Sequence, residues 1–267
     1  GGSCCGQAAG ERAFSPMTQR IALITGSTRG IGLAIAEALS GAGYRVLVTG
    51  RRAEEASTVA ERLGGLGFGA DLSDRGAIVK LLDDIAARAG RVDVLVNNAG
   101  IAESAPYSRT TDEIWDRTMM VNATAPFLLC RALVPAMVRA GYGRVINVAS
   151  NAGRVGYAYT TAYCASKHAL IGLTRALAAE LARTDVTVNA LCPGWVRTDM
   201  AAEAASRIAD KTKRSADEAE QALAAMSPQN RLIEAEEVAH AVLALLPEAA
   251  RGIHGQAWVI DGGQVQA

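Results

Sequence analysis

The fold is decided by the stretch Ile21-Ala22-Leu23-Ile24-Thr25-Gly26-Ser27-Thr28-Arg29-Gly30-Ile31-Gly32, in which an apolar run enters a glycine-rich loop and then a helical pattern. Gly26 permits a tight turn, Gly30 lets backbone approach a ligand, and Gly32 lets the helix pack on the strand. The start of a helix offers free N–H groups and partial positive charge to phosphates. A glycine loop between a first strand and a first helix favours a dinucleotide-binding loop over an ordinary glycine turn.

Apolar runs and amphipathic stretches alternate along the rest of the chain. Strands are predicted over residues 20–25, 44–49, 68–72, 92–97, 144–150, 187–192 and 256–261. Helices are predicted over residues 31–42, 53–63, 74–89, 111–140, 162–183 and 235–246. This alternation indicates an α/β fold with a Rossmann-like, doubly wound parallel sheet and helices on both faces. The strands are continuously apolar, as burial on both faces requires.

The domain organisation is predicted to be simple. No internal repeat or linker divides the chain, so residues 17–267 are expected to form a single domain. Residues 1–16 are expected to be an extension, native or added, because Met17 directly precedes the first strand. Residues 199–228 interrupt the alternation with two short helical patterns after a strand end. Because ligands of open α/β sheets lie beyond the carboxyl ends of strands, this segment is predicted to be a substrate lid.

Composition excludes several classes of function. The chain has 27 Lys and Arg against 27 Asp and Glu, so it lacks the basic field that nucleic acid or an anionic membrane would require. No apolar run is read as a membrane span. The cysteines and histidines form no metal-ligand pattern, so no metal is expected. The odd number of cysteines, five, is typical of free thiols in a reducing cytoplasm: Cys4, Cys5, Cys130, Cys164 and Cys192.

The end of the second predicted strand bears on cofactor choice. A site that prefers NAD usually has an acidic residue there for the ribose 2′-hydroxyl. Arg51 stands at that position, and Arg29 lies within the glycine loop. Two guanidinium groups near one ribose suit a 2′-phosphate, so NADP(H) is favoured over NAD(H). The alternative interpretation, solvated loop charges, stays open for the neighbouring Arg52.

An acid–base pair is predicted on the helix over 162–183. Tyr163 and Lys167 are spaced i, i+4 and share one helix face. A free tyrosine has a pKa of about 10, too high for efficient proton transfer near neutrality, and the Lys167 ammonium together with an oxidised nicotinamide is expected to lower it. Taken alone, this spacing often marks a surface Tyr and Lys. Ser150, at the end of a strand thirteen residues earlier, is positioned to hydrogen-bond a substrate oxygen.

With these motifs in place, the chain resembles the short-chain dehydrogenase/reductase family over roughly residues 18–263. The motifs that carry the resemblance occur in family order: Thr25 to Gly32, Asp71-Leu72, Asn97-Asn98-Ala99-Gly100, Asn122, Ser150, Tyr163 with Lys167, and Pro193-Gly194-Trp195-Val196-Arg197-Thr198. The resemblance implies a seven-stranded Rossmann sheet and an oxidoreductase that moves a hydride between a nicotinamide and a carbonyl or alcohol carbon. The family's second helix and third strand are shortened here by the glycine-rich stretch from Leu63 to Gly69.

The resemblance also implies residue roles. Tyr163 is the acid/base, Ser150 holds the substrate oxygen, and Lys167 binds the ribose and tunes Tyr163. Asn122, whose other interpretation is a helix bend, holds a water in the proton relay. Asp71 faces the adenine, and Val196 and Thr198 face the carboxamide. The implied cofactor contacts are Gly26, Ser27, Arg29, Gly30, Ile31, Gly32, Arg51, Asp71, Leu72, Asn98, Ala99, Gly100, Tyr163, Lys167, Pro193, Gly194, Val196 and Thr198.

Within the family, the chain resembles bacterial 3-oxoacyl-thioester and polyketide ketoreductases. An NADPH-dependent ketoreductase of a 3-oxoacyl thioester or apolar ketone is therefore expected. The alternatives are a dehydrogenase of a secondary alcohol or 3-hydroxyacyl substrate and, in another class, a non-catalytic nucleotide sensor. The predicted pocket wall is largely apolar, and its Arg154 is interpreted as a solvated loop charge, with contact to a substrate carboxylate or thioester phosphate as the alternative. The stretches over residues 126–138 and 168–181 are apolar around much of their circumference, which is typical of helices buried on more than one side. The resemblance implies that these helices pair across a two-fold axis and that the C-terminal strand forms a second interface, so a homotetramer is expected, with a dimer as the alternative.

Overall fold

The structure is a computed structural model that describes residues 19–213 and 215–266. The predicted extension over residues 1–16 lies outside the described residues. The division of the chain into that extension and one domain over residues 17–267 stays a prediction.

A seven-stranded sheet organises the described residues, and all its strands are parallel. The order β3-β2-β1-β4-β5-β6-β7 confirms the predicted doubly wound fold. From β1 the sheet extends through β2 and β3 to one side and through β4 to β7 to the other. The point between β1 and β4, where the strand order reverses, is where such folds form a ligand crevice. The strands are β1 Ile21–Ile24, β2 Arg45–Gly50, β3 Leu66–Gly69, β4 Val94–Asn97, β5 Gly143–Val148, β6 Val186–Pro193 and β7 Ala257–Ile260.

Helices cover both faces of the sheet. They are α1 Gly30–Gly41, α2 Ala53–Arg62, α3 Arg75–Arg88, α4 Asp112–Met119, α5 Ala125–Ala140, α6 Thr161–Leu181, α7 Asp199–Thr212, α8 Ala216–Ala224 and α9 Ala235–Ala244. Helices α1 and α9 share one buried apolar cluster with the sheet, while α3 and α5 share another. Alternate strand residues serve the two clusters: Ile24 lies in the first and Leu23 in the second. The strands are therefore continuously apolar because both of their faces are buried, as predicted.

The third strand begins two residues earlier than predicted and ends at Gly69, before Asp71 and Leu72. A Cβ on Gly67 would lie 2.4 Å from the Ser57 backbone of α2. The strand therefore contains a glycine because the helix packs directly on it. A search for apolar runs misses such a strand, since glycine has no side chain to mark it.

The helix predicted over residues 111–140 is interrupted. Between α4 and α5 the chain makes a π-helical turn over Met120–Thr124. Asn122 lies in this turn and is fully buried. Insertions of this kind occur mainly at functional sites, where a wider turn re-aims a side chain.

Together, α4, the π-helical turn and α5 span 29 residues and are long and apolar enough to cross a membrane by length and composition alone. Half of the most apolar window is buried inside the protein, as in a core helix. The helix packs against the sheet through residues such as Leu129 and Met137.

Candidate active site

The glycine loop has the geometry its sequence predicts. Gly26 has φ +63°, and a Cβ there would lie 3.0 Å from the Ala99 Cα. A Cβ on Gly32 would lie 2.3 Å from the Gly26 carbonyl oxygen and 2.4 Å from Asn98 Nδ2. Only glycine fits at position 32, because α1 begins directly against the loop. Ile31 packs on the core beside it.

Buried hydroxyl and amide groups brace this loop. Ser27 Oγ donates to the Ile24 carbonyl at 2.8 Å and accepts from the Thr49 amide at 3.0 Å. Thr25 Oγ1 accepts from the amides of Asn98 and Ala99, both at 3.0 Å. Asn98 Nδ2 in turn donates to the Thr25 and Gly26 carbonyls. The Asn98-Ala99-Gly100 turn after β4 is therefore held against the glycine loop.

The two arginines assigned to a ribose phosphate have different surroundings. Arg29 Nη1 lies 3.1 Å from Asp199 Oδ2, and both side chains are 66% exposed. Arg51 follows β2 and is exposed. Arg29 therefore connects the glycine loop to the first residue of α7, a contact that the sequence interpretation did not include.

Asp71 and Leu72, expected near the adenine, follow β3. Asp71 accepts from the Ser73 hydroxyl at 2.7 Å and from the Ser73 amide at 2.9 Å. These bonds are the main cause of the lowered pKa of Asp71, with smaller contributions from the charges of Arg117 and Arg51. Leu72 is buried in the core. Of the two, Asp71 is the one exposed at the sheet edge.

Ser150, Tyr163 and Lys167 converge at the carboxyl end of β5. The Ser150 side chain neighbours the Tyr163 hydroxyl and acts to lower the pKa of Tyr163. Lys167 Nζ lies 5.7 Å from the centroid of the Tyr163 ring, so the two residues share one helix face as predicted. The ammonium group donates to the Val148 carbonyl at 2.9 Å. The strand end thus anchors the cation close to the two hydroxyls.

Burial is the largest influence on the pKa values of Lys167 and Tyr163. Lys167 is only 3% exposed, and burial lowers its pKa to about 8. Burial also raises the pKa of Tyr163, and the Ser150 side chain opposes that rise. In the protein alone the pKa of Tyr163 is thus raised, chiefly by burial, and its expected lowering by Lys167 together with the oxidised nicotinamide stays a prediction.

Asn122 ties three segments together. Its Oδ1 accepts from the Ile101 amide and its Nδ2 donates to the Ile101 carbonyl, both at 2.9 Å. Nδ2 also lies 3.0 Å from Ser166 Oγ, on the helix that carries Tyr163 and Lys167. The π-helical turn directs this amide toward α6. Sequence reasoning missed Ser166, because a serine between a Tyr and a Lys on a helix gives no sign that it binds a distant amide.

The loop after β6 lies over the glycine loop. A Cβ on Gly30 would be 3.3 Å from the Thr198 methyl group. The Gly194 amide donates to the Ile260 carbonyl next to Pro193, and Val196 pairs with Ile233. Pro193, Gly194, Val196 and Thr198 thus form one wall of the crevice whose opposite wall is the glycine loop.

The substrate side consists of exposed loops and the segment predicted to be a lid. Two helices, α7 and α8, occupy that segment, and a small cluster built on Ala204, Ala219 and Leu223 joins them. Tyr159 has φ +67°, an uncommon conformation for an aromatic residue, and its carbonyl accepts from the Ala105 amide at 2.9 Å. Arg154 donates to the Ala257 carbonyl at 3.0 Å and is partly buried, so its interpretation as a solvated charge is wrong.

No group of three or more metal-ligating side chains occurs within residues 19–213 and 215–266. The cysteines in that part of the chain, Cys130, Cys164 and Cys192, are free thiols.

Comparison with known proteins agrees with this arrangement. Residues 20–209 match the family model for short chain dehydrogenases. A putative ketoacyl reductase of Streptomyces coelicolor is 38% identical over 91% of this chain and 96% of its own length. The D-beta-hydroxybutyrate dehydrogenase of Cupriavidus necator is 36% identical over 92% of this chain and 98% of its own length.

A solved structure extends the comparison to three dimensions. A variant of the actinorhodin polyketide ketoreductase, crystallised with NADPH, superimposes with a TM-score of 0.88 at 38% identity. The match covers 92% of this chain and 97% of that one. On sequence and fold together, the chain belongs to the short-chain dehydrogenase family of oxidoreductases.

Proposed function

We propose that this oxidoreductase is an NADPH-dependent ketoreductase of a 3-oxoacyl thioester or a medium-sized apolar ketone. The observation that carries the proposal is the convergence of Ser150, Tyr163 and Lys167 beside the glycine loop. Two neighbouring hydroxyls with an ammonium close by are suited to protonating a carbonyl oxygen. The structural relative crystallised with NADPH and the ketoacyl reductase relative support the same activity.

The cofactor fits the crevice between the glycine loop and the loop after β6. Position 32 excludes a Cβ and the N-terminus of α1 faces the crevice, so backbone amides are available to the pyrophosphate. Thr198 and Val196 are assigned to the carboxamide, Asn98 to Gly100 to the backbone approach, and Asp71 to the adenine. When bound, the reduced nicotinamide supplies the hydride.

The protein's own residues handle the proton. Ser150 donates a hydrogen bond to the substrate oxygen, and the Tyr163 O–H transfers its proton to that oxygen. The phenolate that remains is stabilised by the Lys167 ammonium, which the Val148 carbonyl holds in place. Asn122 keeps the Ile101 backbone and α6 in register and is assigned to the proton relay.

NADPH is favoured because of Arg51. It is exposed at the end of β2, where an NAD-specific site would place a carboxylate. Arg29 is paired with Asp199, but an exposed pair contributes little free energy and can exchange Asp199 for a phosphate. We expect Arg51→Asp to shift the preference toward NADH, measured as the ratio of kcat/KM for the two cofactors. Equal efficiency with both cofactors in the unaltered enzyme would contradict the arginine argument.

The substrate assignment is tested by a panel of apolar ketones, β-ketoacyl thioesters, steroids and sugars, with NADPH absorbance as the readout. Apolar ketones or β-ketoacyl thioesters should be the best substrates, since the exposed wall residues Tyr159 and Met200 offer apolar surface. Strong activity on sugars and none on apolar ketones would overturn the assignment.

Two alternatives are tested in the same experiment. The hydroxybutyrate dehydrogenase relative favours oxidation of a secondary alcohol or 3-hydroxyacyl substrate, which would appear as reduction of NADP⁺. A nucleotide sensor would bind cofactor and turn over nothing. The convergence of Ser150, Tyr163 and Lys167 favours an enzyme over a sensor, since a sensor has no need of a proton donor.

We propose a cytoplasmic homotetramer, with a dimer as the alternative. Phe127 and Val138 on α5 and Trp115 on α4 are large apolar side chains left exposed. β7 is the last strand of the sheet, and its residues are partly exposed. Both surfaces offer apolar or backbone contacts to a second copy. A light-scattering mass near that of one chain would contradict both assemblies.

A further inference from the structure

The residues after β7 reach back to the segment that joins Ser150 to Tyr163. Gln264 Oε1 accepts from Asn151 Nδ2 at 3.1 Å, and Gln264 Nε2 donates to the Tyr157 hydroxyl at 3.1 Å. One side-chain amide therefore contacts the segment at its first residue and at its middle. We infer that Gln264 is a positioning residue that holds Tyr157 and the 151–160 segment, and thereby sets which substrates the site accepts.

Gln264 is itself held by a buried carboxylate. Asp261, 2% exposed, accepts from the backbone amides of Gly263 and Gln264 at 3.0 Å each and of Val265 at 2.9 Å. It also accepts from Asn151 Nδ2 at 3.3 Å. Four donors compensate the burial of this charge and fix the course of the tail. The amide of Gln264 is thus presented from a rigid turn.

The same turn supports the cofactor side of the crevice. A Cβ on Gly194 would lie 2.7 Å from the Asp261 Cβ, so the loop after β6 rests directly on this turn. Asn151, adjacent to Ser150, contacts both Asp261 and Gln264. The tail therefore connects two walls of the site that come from distant parts of the chain.

In this arrangement, Tyr157 is the residue through which Gln264 influences which substrates bind. Its hydroxyl is a neutral acceptor, because burial and the nearby Asp261 charge both raise its pKa. Its carbonyl also accepts from the Thr160 hydroxyl at 2.9 Å. With Gln264 in place, the Tyr157 hydroxyl is bound to the same amide as Asn151, the residue next to Ser150. Loss of the amide frees the ring, and the space beside the two hydroxyls then admits larger ketones.

The inference rests on the proposed function, and a double-mutant cycle tests it. Gln264→Leu keeps the side-chain volume and removes both hydrogen bonds, whereas Tyr157→Phe removes only the hydroxyl. Tyr157→Phe should change the ratio of kcat/KM for a bulky and a small ketone by about five-fold, the effect of one lost hydrogen bond, and Gln264→Leu by at least as much, because it also loses the bond to Asn151. Because the hydrogen bond between Gln264 and Tyr157 is already absent in Gln264→Leu, adding Tyr157→Phe to that variant should change the ratio little further. The KM for NADPH should stay as in the unaltered enzyme.

Gln266→Leu is the matched control, since Gln266 is exposed two residues further on and contacts only the Gly263 carbonyl among the described residues, at 3.5 Å. Amide exchange over residues 151–160 supplies a readout that needs no activity: Gln264→Leu should accelerate it and Gln266→Leu should not. Unchanged exchange, an unchanged substrate ratio, or additive effects in the cycle would overturn the inference. An enzyme inactive on every carbonyl compound would instead contradict the proposed function, and exchange would still decide whether Gln264 holds the segment.

Discussion

The glycine loop and the predicted lid meet through the Arg29–Asp199 ion pair and are stabilised in opposite ways. The loop is fixed by buried contacts: Gly32 excludes a Cβ, and the Ser27 and Thr25 hydroxyls satisfy the neighbouring backbone. The lid helices rest on a small alanine-rich cluster and on exposed ion pairs, of which Arg197 supplies two, to Glu220 and Glu234. The first region tolerates little variation, whereas the second can change at low cost.

This difference explains why the cofactor side is easier to interpret than the substrate side. A site for a shared cofactor needs a fixed backbone shape. That shape requires glycine at particular positions, because a Cβ there would clash. A site for a particular substrate needs apolar surface of the right size, which many sequences provide. The following predictions test whether the two regions differ as much as the contacts indicate.

The largest effect is expected from Gly32→Ala. The added methyl group would meet a backbone oxygen at 2.3 Å, so either α1 or the loop must shift. We expect a loss of about 3 kcal/mol in the free energy of unfolding, measured by urea denaturation, with weakened NADPH binding.

Gly41→Ala, at the other end of the same helix, is the control. No atom lies within 4 Å of the Cβ it would add. Its stability should equal or slightly exceed that of the unaltered protein, since alanine favours helix over glycine. Equal losses for the two variants would show that the loop is not sterically fixed.

A smaller, pH-dependent effect is expected at Lys167. Its pKa falls from 10.5 to about 8 on folding, so the unfolded chain binds more protons between those values. Stability therefore rises with pH in that window, by about 2 kcal/mol between pH 7 and 9.5. Lys167→Met lacks this dependence.

The measurement is urea denaturation of the cofactor-free protein at both pH values. The unaltered protein should gain stability relative to Lys167→Met as the pH rises. Parallel pH curves for the two proteins would mean that the ammonium is not buried as the structure places it.

The smallest effect on stability is expected from Arg197→Ala, at a residue that lies just before the lid and pairs with Glu220 on α8. Its two ion pairs are half exposed, and such pairs are weak and screened by salt. Global denaturation should not distinguish this variant from the unaltered protein, but amide exchange in α8 should rise at low ionic strength and less so at high. A large loss of global stability would place the lid among the fixed regions and remove the contrast with the glycine loop.

Much of the fold follows from the sequence because each strand is continuously apolar and each glycine of the loop has a local cause. The exceptions are contacts between distant residues. The π-helical turn at Asn122 depends on Ile101 and Ser166, which lie 21 and 44 positions away. The Arg29–Asp199 pair joins residues 170 positions apart.

In the candidate site, too, local features could be predicted from the sequence and features that depend on distant residues could not. The spacing of Tyr163 and Lys167 predicts a shared helix face, which the structure confirms. Their protonation could not be predicted, because it depends on burial by the whole fold and not on the neighbouring charge alone. The Gln264 contacts were missed for a similar reason, since a glutamine near a chain end carries no signal of the tyrosine it meets.

The central claim is that Tyr163 delivers the proton while NADPH delivers the hydride. It is tested most directly by NADPH oxidation with a ketone that the unaltered enzyme reduces, compared with Tyr163→Phe. The variant loses only the phenolic oxygen, so NADPH binding, followed by fluorescence titration, should be retained. Its kcat should fall by roughly 1,000-fold, within the range that general acid catalysis contributes. A Tyr163→Phe enzyme that keeps more than about a tenth of the original kcat would contradict the account, since the loss of a general acid is expected to cost at least roughly 100-fold.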